Sequence, residues 1–202
     1  MKTYNIHLKS SWKDLTIEDY QKIYALGEDI KKTDIISIIS NMTLEEVMDL
    51  PLEVLQSLED EIEFINEGIE AVYELSPVRT QNYRWTLLTD IKKLKASQFM
   101  DLIELTKDKS KLTENLHMIM SVISNKEEKR WYGGYKKIDY QDRDIMADAK
   151  VIQKHFPIGD ALSLSSFFLA ILELSQINIE DYSDKTSKQS KRMDNIREEF
   201  PQ

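Results

Sequence analysis

Catalysis and ion binding need particular groups brought together, and few such groupings stand in this chain. The three histidines, His7, His117 and His155, fall in separate stretches, with no second histidine or acidic ligand at i+3 or i+4 in a recognised metal pattern. Packing or surface roles are expected for all three. His155 precedes Asp160 by five residues and could meet it across the Pro157–Gly159 bend, but no nucleophile or oxyanion feature accompanies the pair, so no catalytic role follows. Glu59, Asp60, Glu61 and Glu63 offer carboxylates for a divalent ion or for acid–base work, yet a charge run on the outer face of an amphipathic helix is ordinarily solvated. Gly133-Gly134 lacks the lysine, serine and glycine spacing of a phosphate loop and reads as a turn. With no cysteine, thiolate chemistry and disulfides are excluded, which suits a reducing compartment. No catalytic residue, cofactor site or metal site is assigned, and the chain is read as a non-enzyme.

One constellation remains. Trp131, Tyr132 and Tyr135 stand among Lys129, Arg130, Lys136 and Lys137. Aromatic rings beside cations can stack on single-stranded nucleic acid, and the same residue types dominate protein-binding hot spots. The net charge of −9 and isoelectric point near 5.0 make the long-range field repulsive to phosphate backbones and anionic membrane surfaces. Protein contact is therefore favoured over nucleic acid, with Arg130, Trp131, Tyr132, Tyr135, Lys136 and Lys137 as the candidate partner-binding residues. Anchoring of the rings in the core is an equal alternative. A second basic stretch, from Lys185 to Arg197, lies in a polar tail and could dock on an acidic surface.

The elements that must position these residues are mostly helical. Five glycines and four prolines in 202 residues disfavour a turn-rich β-sandwich. Tyr4, Ile6 and Leu8 alternate with polar residues, as in a half-buried strand. Thr16 with Asp19 caps a helix running to Gly27, and Asp34 to Asn41 reads as a buried helix. Thr43-Leu-Glu-Glu is a capping box opening a short helix stopped by Leu50-Pro51. Leu52 to about Asn66 follows, with Val54, Leu55, Leu58, Ile62 and Ile65 on its apolar face. Gly133-Gly134 between aromatics suits a tight hairpin with positive φ. Arg143 to His155 reads as a helix with Ile145, Met146, Ala149 and Ile152 inward, ended by Phe156-Pro157.

Asp160 to Leu174 is the most apolar run, capped by Asp160 and far short of the ~20 residues that span a bilayer. It is expected to be the buried helix around which a bundle packs. The sequence also suggests duplication, because Tyr83, Trp85 and Leu87 repeat Tyr4, Ile6 and Leu8, and Phe99 to Leu105 repeat Tyr20 to Leu26. Two strand–helix–helix units, 1–66 and 82–128, would then pair strands 4–8 and 83–87 into a small two-stranded sheet. The expected organisation is one compact helical domain over 1–179 and a polar, flexible tail over 180–202. The first residues lack the apolar core of a signal peptide, so a soluble protein, intracellular in synthesis, is expected.

Several packing and turn motifs carry a resemblance. They are Ser11-Trp12 with Leu15-Thr16, Ile39-Ser40-Asn41-Met42-Thr43 leading to Leu50-Pro51-Leu52, Met120-Ser121-Val122-Ile123, Gly134-Tyr135, and Asp160 to Ser165 with Phe167-Phe168-Leu169. In that order they resemble the small helical virion and assembly proteins of tailed phages infecting Bacteroidota, crAss-like phages included. The chain departs from that pattern at Asn125-Lys126-Glu127-Glu128, where the family has a Pro-Lys-Gly turn. The resemblance implies a head–tail or tail component, or a tail assembly chaperone, located in the host cytoplasm during assembly and in the virion. Its partners would be other virion proteins, with homo-oligomerisation as a further option and no membrane. The alternatives are an internal protein packaged and ejected with DNA, and a nucleic-acid-associated regulator.

Overall fold

Two Thr-x-x-acid boxes start the first and third described helices of the protein, whose computed structural model describes residues 6–27, 29–67, 75 and 77–165. Helix α1 (Ile17–Ala25) opens where the Asp19 amide donates to the Thr16 hydroxyl at 3.3 Å and the Thr16 amide donates back to the Asp19 carboxylate at 2.8 Å. Both free first-turn donors are satisfied by this exchange. The Lys9 ammonium reaches the same carboxylate at 2.5 Å, so an ion pair ties down the segment before α1. Residues 6–8, the described part of the strand expected at 4–8, form no strand.

Helix α2 (Lys32–Ser40) ends at Asn41, which takes φ 57°, a left-handed cap that asparagine tolerates better than most residues. The chain then turns into α3 (Leu44–Met48), where the Thr43 amide donates to Glu46 at 2.7 Å and the Glu46 amide to Thr43 at 3.2 Å. Pro51 begins α4 (Leu52–Glu61), and a 3₁₀ turn at Glu63–Asn66 follows. Leu58 and Ile62 are buried, Val54, Leu55 and Ile65 half-buried, and Asp60, Glu61 and Glu63 exposed, the two faces read from the spacing.

The described residues are mainly helical, with one small antiparallel sheet of four strands in the order β1 (Val78–Arg79), β2 (Tyr83–Leu87), β3 (Ser124–Lys129) and β4 (Tyr135–Lys137). Strand β2 is where alternation placed a strand, but its partners differ from the expected 4–8. Val78 pairs with Trp85 on one side and Lys126 with Trp85 on the other. Both edges of β2 are thus taken by segments nearer to it in the chain. Between β2 and β3 the chain makes α5 (Ala96–Thr106) and α6 (Leu112–Val122). The order in 78–129 is therefore strand, strand, helix, helix, strand, and no strand is described over 6–8 to match β2. Asn41 caps α2, while Ser124-Asn125 enters β3.

Among the described helices α6 is the most deeply set, with Leu116, Ile119, Met120, Ser121 and Val122 buried, and it packs on α1, α5 and α7 (Ile145–His155). Two features of α7 depart from the sequence reading. Arg143 stands outside the helix, whose N-cap is Asp144, and Met146 is 59% exposed while Asp148 is buried. The expected central helix at 160–174 is described only as far as 165. Residues 158–165 are helical, with Ile158, Ala161 and Leu164 buried. This helix opens three residues earlier than expected, the Ala161 amide donating to the Pro157 carbonyl at 3.2 Å, so Asp160 lies within the first turn rather than at the cap. The connector before it is clipped to the start of α1 by Ile17 N–H to the Phe156 carbonyl at 3.1 Å and Ile158 N–H to the Leu15 carbonyl at 2.8 Å. The rest of the 160–174 run and the 180–202 tail lie outside the described residues.

Candidate functional site

Strand β3 leaves the end of α6 and returns as β4 through a turn at Arg130–Gly134. The Arg130 amide donates to the Gly134 carbonyl and the Gly133 amide to the Arg130 carbonyl, both at 3.1 Å. Gly133 at φ 96° and Gly134 at φ 77° supply the left-handed conformations that the turn requires. A Cβ would meet nothing within 4 Å at either position, so backbone conformation rather than space demands glycine.

This turn holds Trp131 and Tyr132 in water. Trp131 is 95% exposed and Tyr132 61% exposed, which removes core anchoring as their explanation. The two rings meet edge to face with centroids 5.4 Å apart, the arrangement favoured by ring quadrupoles. Arg130 adds order: its guanidinium sits 5.4 Å from the Tyr132 ring centre and donates to the Tyr132 hydroxyl. The tip is thus a small preassembled cluster of two rings and one cation.

The remaining candidates lie along the strand. Tyr135 is half-buried, with the Arg84 guanidinium 4.1 Å above its ring. Arg84 in turn donates from Nε to Glu127 at 2.6 Å. Tyr135 and Lys137 share the face of the sheet that carries Arg84 and Glu127, whereas Lys136 pairs with Glu128 on the opposite face. The structure therefore gathers Arg130, Trp131 and Tyr132 at the tip, places Tyr135 and Lys137 on one flank, and separates Lys136 from both.

Behind the hairpin lies a buried ionic cluster that the sequence reading missed. The Asp148 carboxylate accepts from Lys126 Nζ at 2.6 Å and from Arg143 Nε at 2.9 Å. Arg143 also donates to the Ser124 carbonyl at 2.6 Å and the Ser121 carbonyl at 3.0 Å. Lys126 lies 4.2 Å above the centre of the Tyr83 ring. The cluster locks β3 to α6 and α7 and so fixes the base of the hairpin. Beside it, Tyr140 donates to Asp101 at 2.6 Å, and burial followed by this bond pushes its phenol well above the ordinary tyrosine value. The recess next to these residues holds about 30 Å³, room for one water and far below a ligand pocket.

The other chemical candidates are dispersed. His7 and His155 are exposed, while His117 is half-buried on α6 with Nδ1 3.1 Å from Gln21 Nε2, and burial lowers its pKa. His155 stands exposed at the end of α7 and Asp160 is buried in the following helix. Glu63 is tied to Lys32 at 2.6 Å and to Asn66 at 3.1 Å, bonds that hold its carboxyl below the usual range. Among the described residues no group of three or more His, Cys, Asp or Glu could hold a metal ion. No described helix is long and apolar enough to cross a membrane. No protein family, curated protein or solved structure matches the chain.

Proposed function

We propose that the protein is a non-enzymatic structural or assembly component of a tailed phage, a head–tail or tail part or a tail assembly chaperone, acting through protein contacts made by the β3–β4 tip. The observation that carries the contact surface is Trp131, 95% exposed on a turn that orders it without any partner. A large ring held ready in water gains area on docking at little conformational cost, which is why tryptophan, tyrosine and arginine recur in hot spots. The phage assignment rests on the resemblance of the packing and turn motifs, with virion proteins as partners and the host cytoplasm, then the particle, as the place of action.

Light scattering of the full chain, alone and mixed with the other proteins of its gene cluster, tests the reading. A mixed complex that Trp131→Ala abolishes is expected. No complex, together with absence of the chain from both particles and assembly intermediates, would remove it. The cations around the tip also suit stacking on single-stranded nucleic acid. That second reading requires salt-sensitive DNA or RNA binding, and a chain that binds neither at low salt ends it.

A further inference from the structure

The chain's net charge of −9 conceals a division. Residues 31–67 contain ten acidic residues and two basic, Lys31 and Lys32, whereas 78–95 and 126–139, which form the sheet and its flanks, contain ten basic and four acidic. Helix α2 packs on α1, and α1 on α6 and α7, so helices stand between the acidic and the basic regions.

Each region also leaves apolar side chains in water. On the acidic side Leu44, Met48 and Leu52 are 45%, 64% and 68% exposed. Leu44 and Met48 border an open groove of about 630 Å³ with Asp34 and Glu59. Lys31 and Lys32 stand on the same border, but Lys32 is paired to Glu63, and Glu45, Asp49 and Glu53 are exposed nearby. On the basic side is the Trp131–Tyr132 tip with Lys129 and Arg130. One surface is a projecting aromatic pair ringed by cations, and the other a groove with apolar residues and an acidic surround.

We propose that the hairpin tip of one copy docks in the Leu44–Met48 groove of a second copy, so that the chain assembles head to tail. This deepens the reading above and rests on it: the tip is the contact surface, and the partner is the chain itself. Apolar rings meet apolar wall, Lys129 and Arg130 meet the acidic surround, and like copies turned the other way present like charge to like. The contact is heterologous, so a joined pair still carries one free tip and one free groove, one on each copy. Repetition closes into a ring or grows as a filament. Two aromatic side chains bury roughly 150–250 Å² each, which puts the contact at the small end of specific interfaces. The association is therefore weak and depends on concentration and salt.

Sedimentation and light scattering of the full chain over a concentration series decide the matter. The mass is expected to rise above 23.7 kDa with concentration and to fall back in high salt. Trp131→Ala loses the tip and Met48→Lys the groove; both positions are exposed, and circular dichroism checks that each variant is folded. Each alone should stay monomeric, while their mixture should form a species of twice the chain mass and no larger, because one intact tip meets one intact groove. Wild-type chain that stays monomeric throughout, Trp131→Ala that assembles like wild type, or a mixture that stays monomeric would overturn the proposal. A monomeric wild type that still binds a gene-cluster neighbour through Trp131 overturns self-assembly alone; one that binds no neighbour either overturns the functional reading as well.

Discussion

Replacing Asp148 by alanine tests whether the buried ionic cluster holds the hairpin to the helices. The carboxylate is 2% exposed and is shared by Arg143, whose side chain is 1% exposed, and Lys126, at 15%. Removing one member of a buried ion pair costs about 3–5 kcal/mol, because the remaining charge loses its compensation. Here the structure points to the lower end. Arg143 keeps the Ser124 and Ser121 carbonyls, and Lys126 keeps the Tyr83 ring face and partial access to water. A loss of about 3 kcal/mol is thus expected, a large share of the roughly 5–15 kcal/mol that holds a domain folded. Urea denaturation read by far-ultraviolet circular dichroism measures it, with an unchanged slope showing that the midpoint alone has moved. Adding Lys126→Met to Asp148→Ala should recover part of the loss, since an unpaired ammonium is then absent. A loss below about 1 kcal/mol, or no recovery in the double variant, would refute the view that Asp148 neutralises both cations.

Three further expectations follow from single contacts. Thr16→Ala should cost more than Thr43→Ala within the usual ~0.5–2 kcal/mol of a cap, because the Asp19 it serves is buried while the Thr43–Glu46 box is exposed; denaturation midpoints of the two variants decide it. Asn41→Ala should lose about 1 kcal/mol at its left-handed φ, whereas Asn41→Gly should be nearly neutral, and equal losses would show that the side chain rather than the backbone matters there. Tyr140, whose phenol is raised by burial and then by Asp101, favours the neutral form in the folded state. Its contribution is complete below about pH 10, where unfolded tyrosine begins to ionise, and is lost as pH rises above that value. Tyrosinate absorbance should show late titration to which Tyr20, also raised by burial, and Tyr140 both contribute, and Tyr140→Phe should remove the later part.

The parts of the fold legible in sequence are those whose cause is local. Thr16 with Asp19, Thr43 with Glu46, Asn41, Pro51 and Gly133-Gly134 each carry out within a few residues what their types announce, so those helix ends and the hairpin turn stand where the sequence puts them, unlike Arg143 and Asp160. Strand pairing is not local. Ile6 and Leu8 alternate well and yet find no sheet, while β3 reads Ser-Asn-Lys-Glu-Glu-Lys and shows no apolar alternation at all. Its inward position is Lys126, opposite Trp85, and that position is stable because Asp148 from a distant helix neutralises it. No window of ten residues contains that information. The same holds for α7, where the spacing put Met146 inward and the ionic partner put Asp148 there instead.

Site legibility divides along the same line. Composition singled out Arg130, Trp131 and Tyr132 but left core anchoring of the rings open, and it could not tell Lys137, beside Tyr135 on one face, from Lys136 on the other, which needs the register of β4 on β3. Nor does a summed charge of −9 show where its signs lie. A summed charge of −9 predicts that the whole chain repels anions, whereas Lys129, Arg130, Lys136 and Lys137 stand in the hairpin itself and charges are screened beyond a Debye length of about 8 Å. Over that distance the neighbouring residues, and not the distant acidic helices, decide what approaches the tip. An acidic, grooved partner is therefore attracted to a protein that is itself acidic, and the chain carries one such surface between α2 and α4.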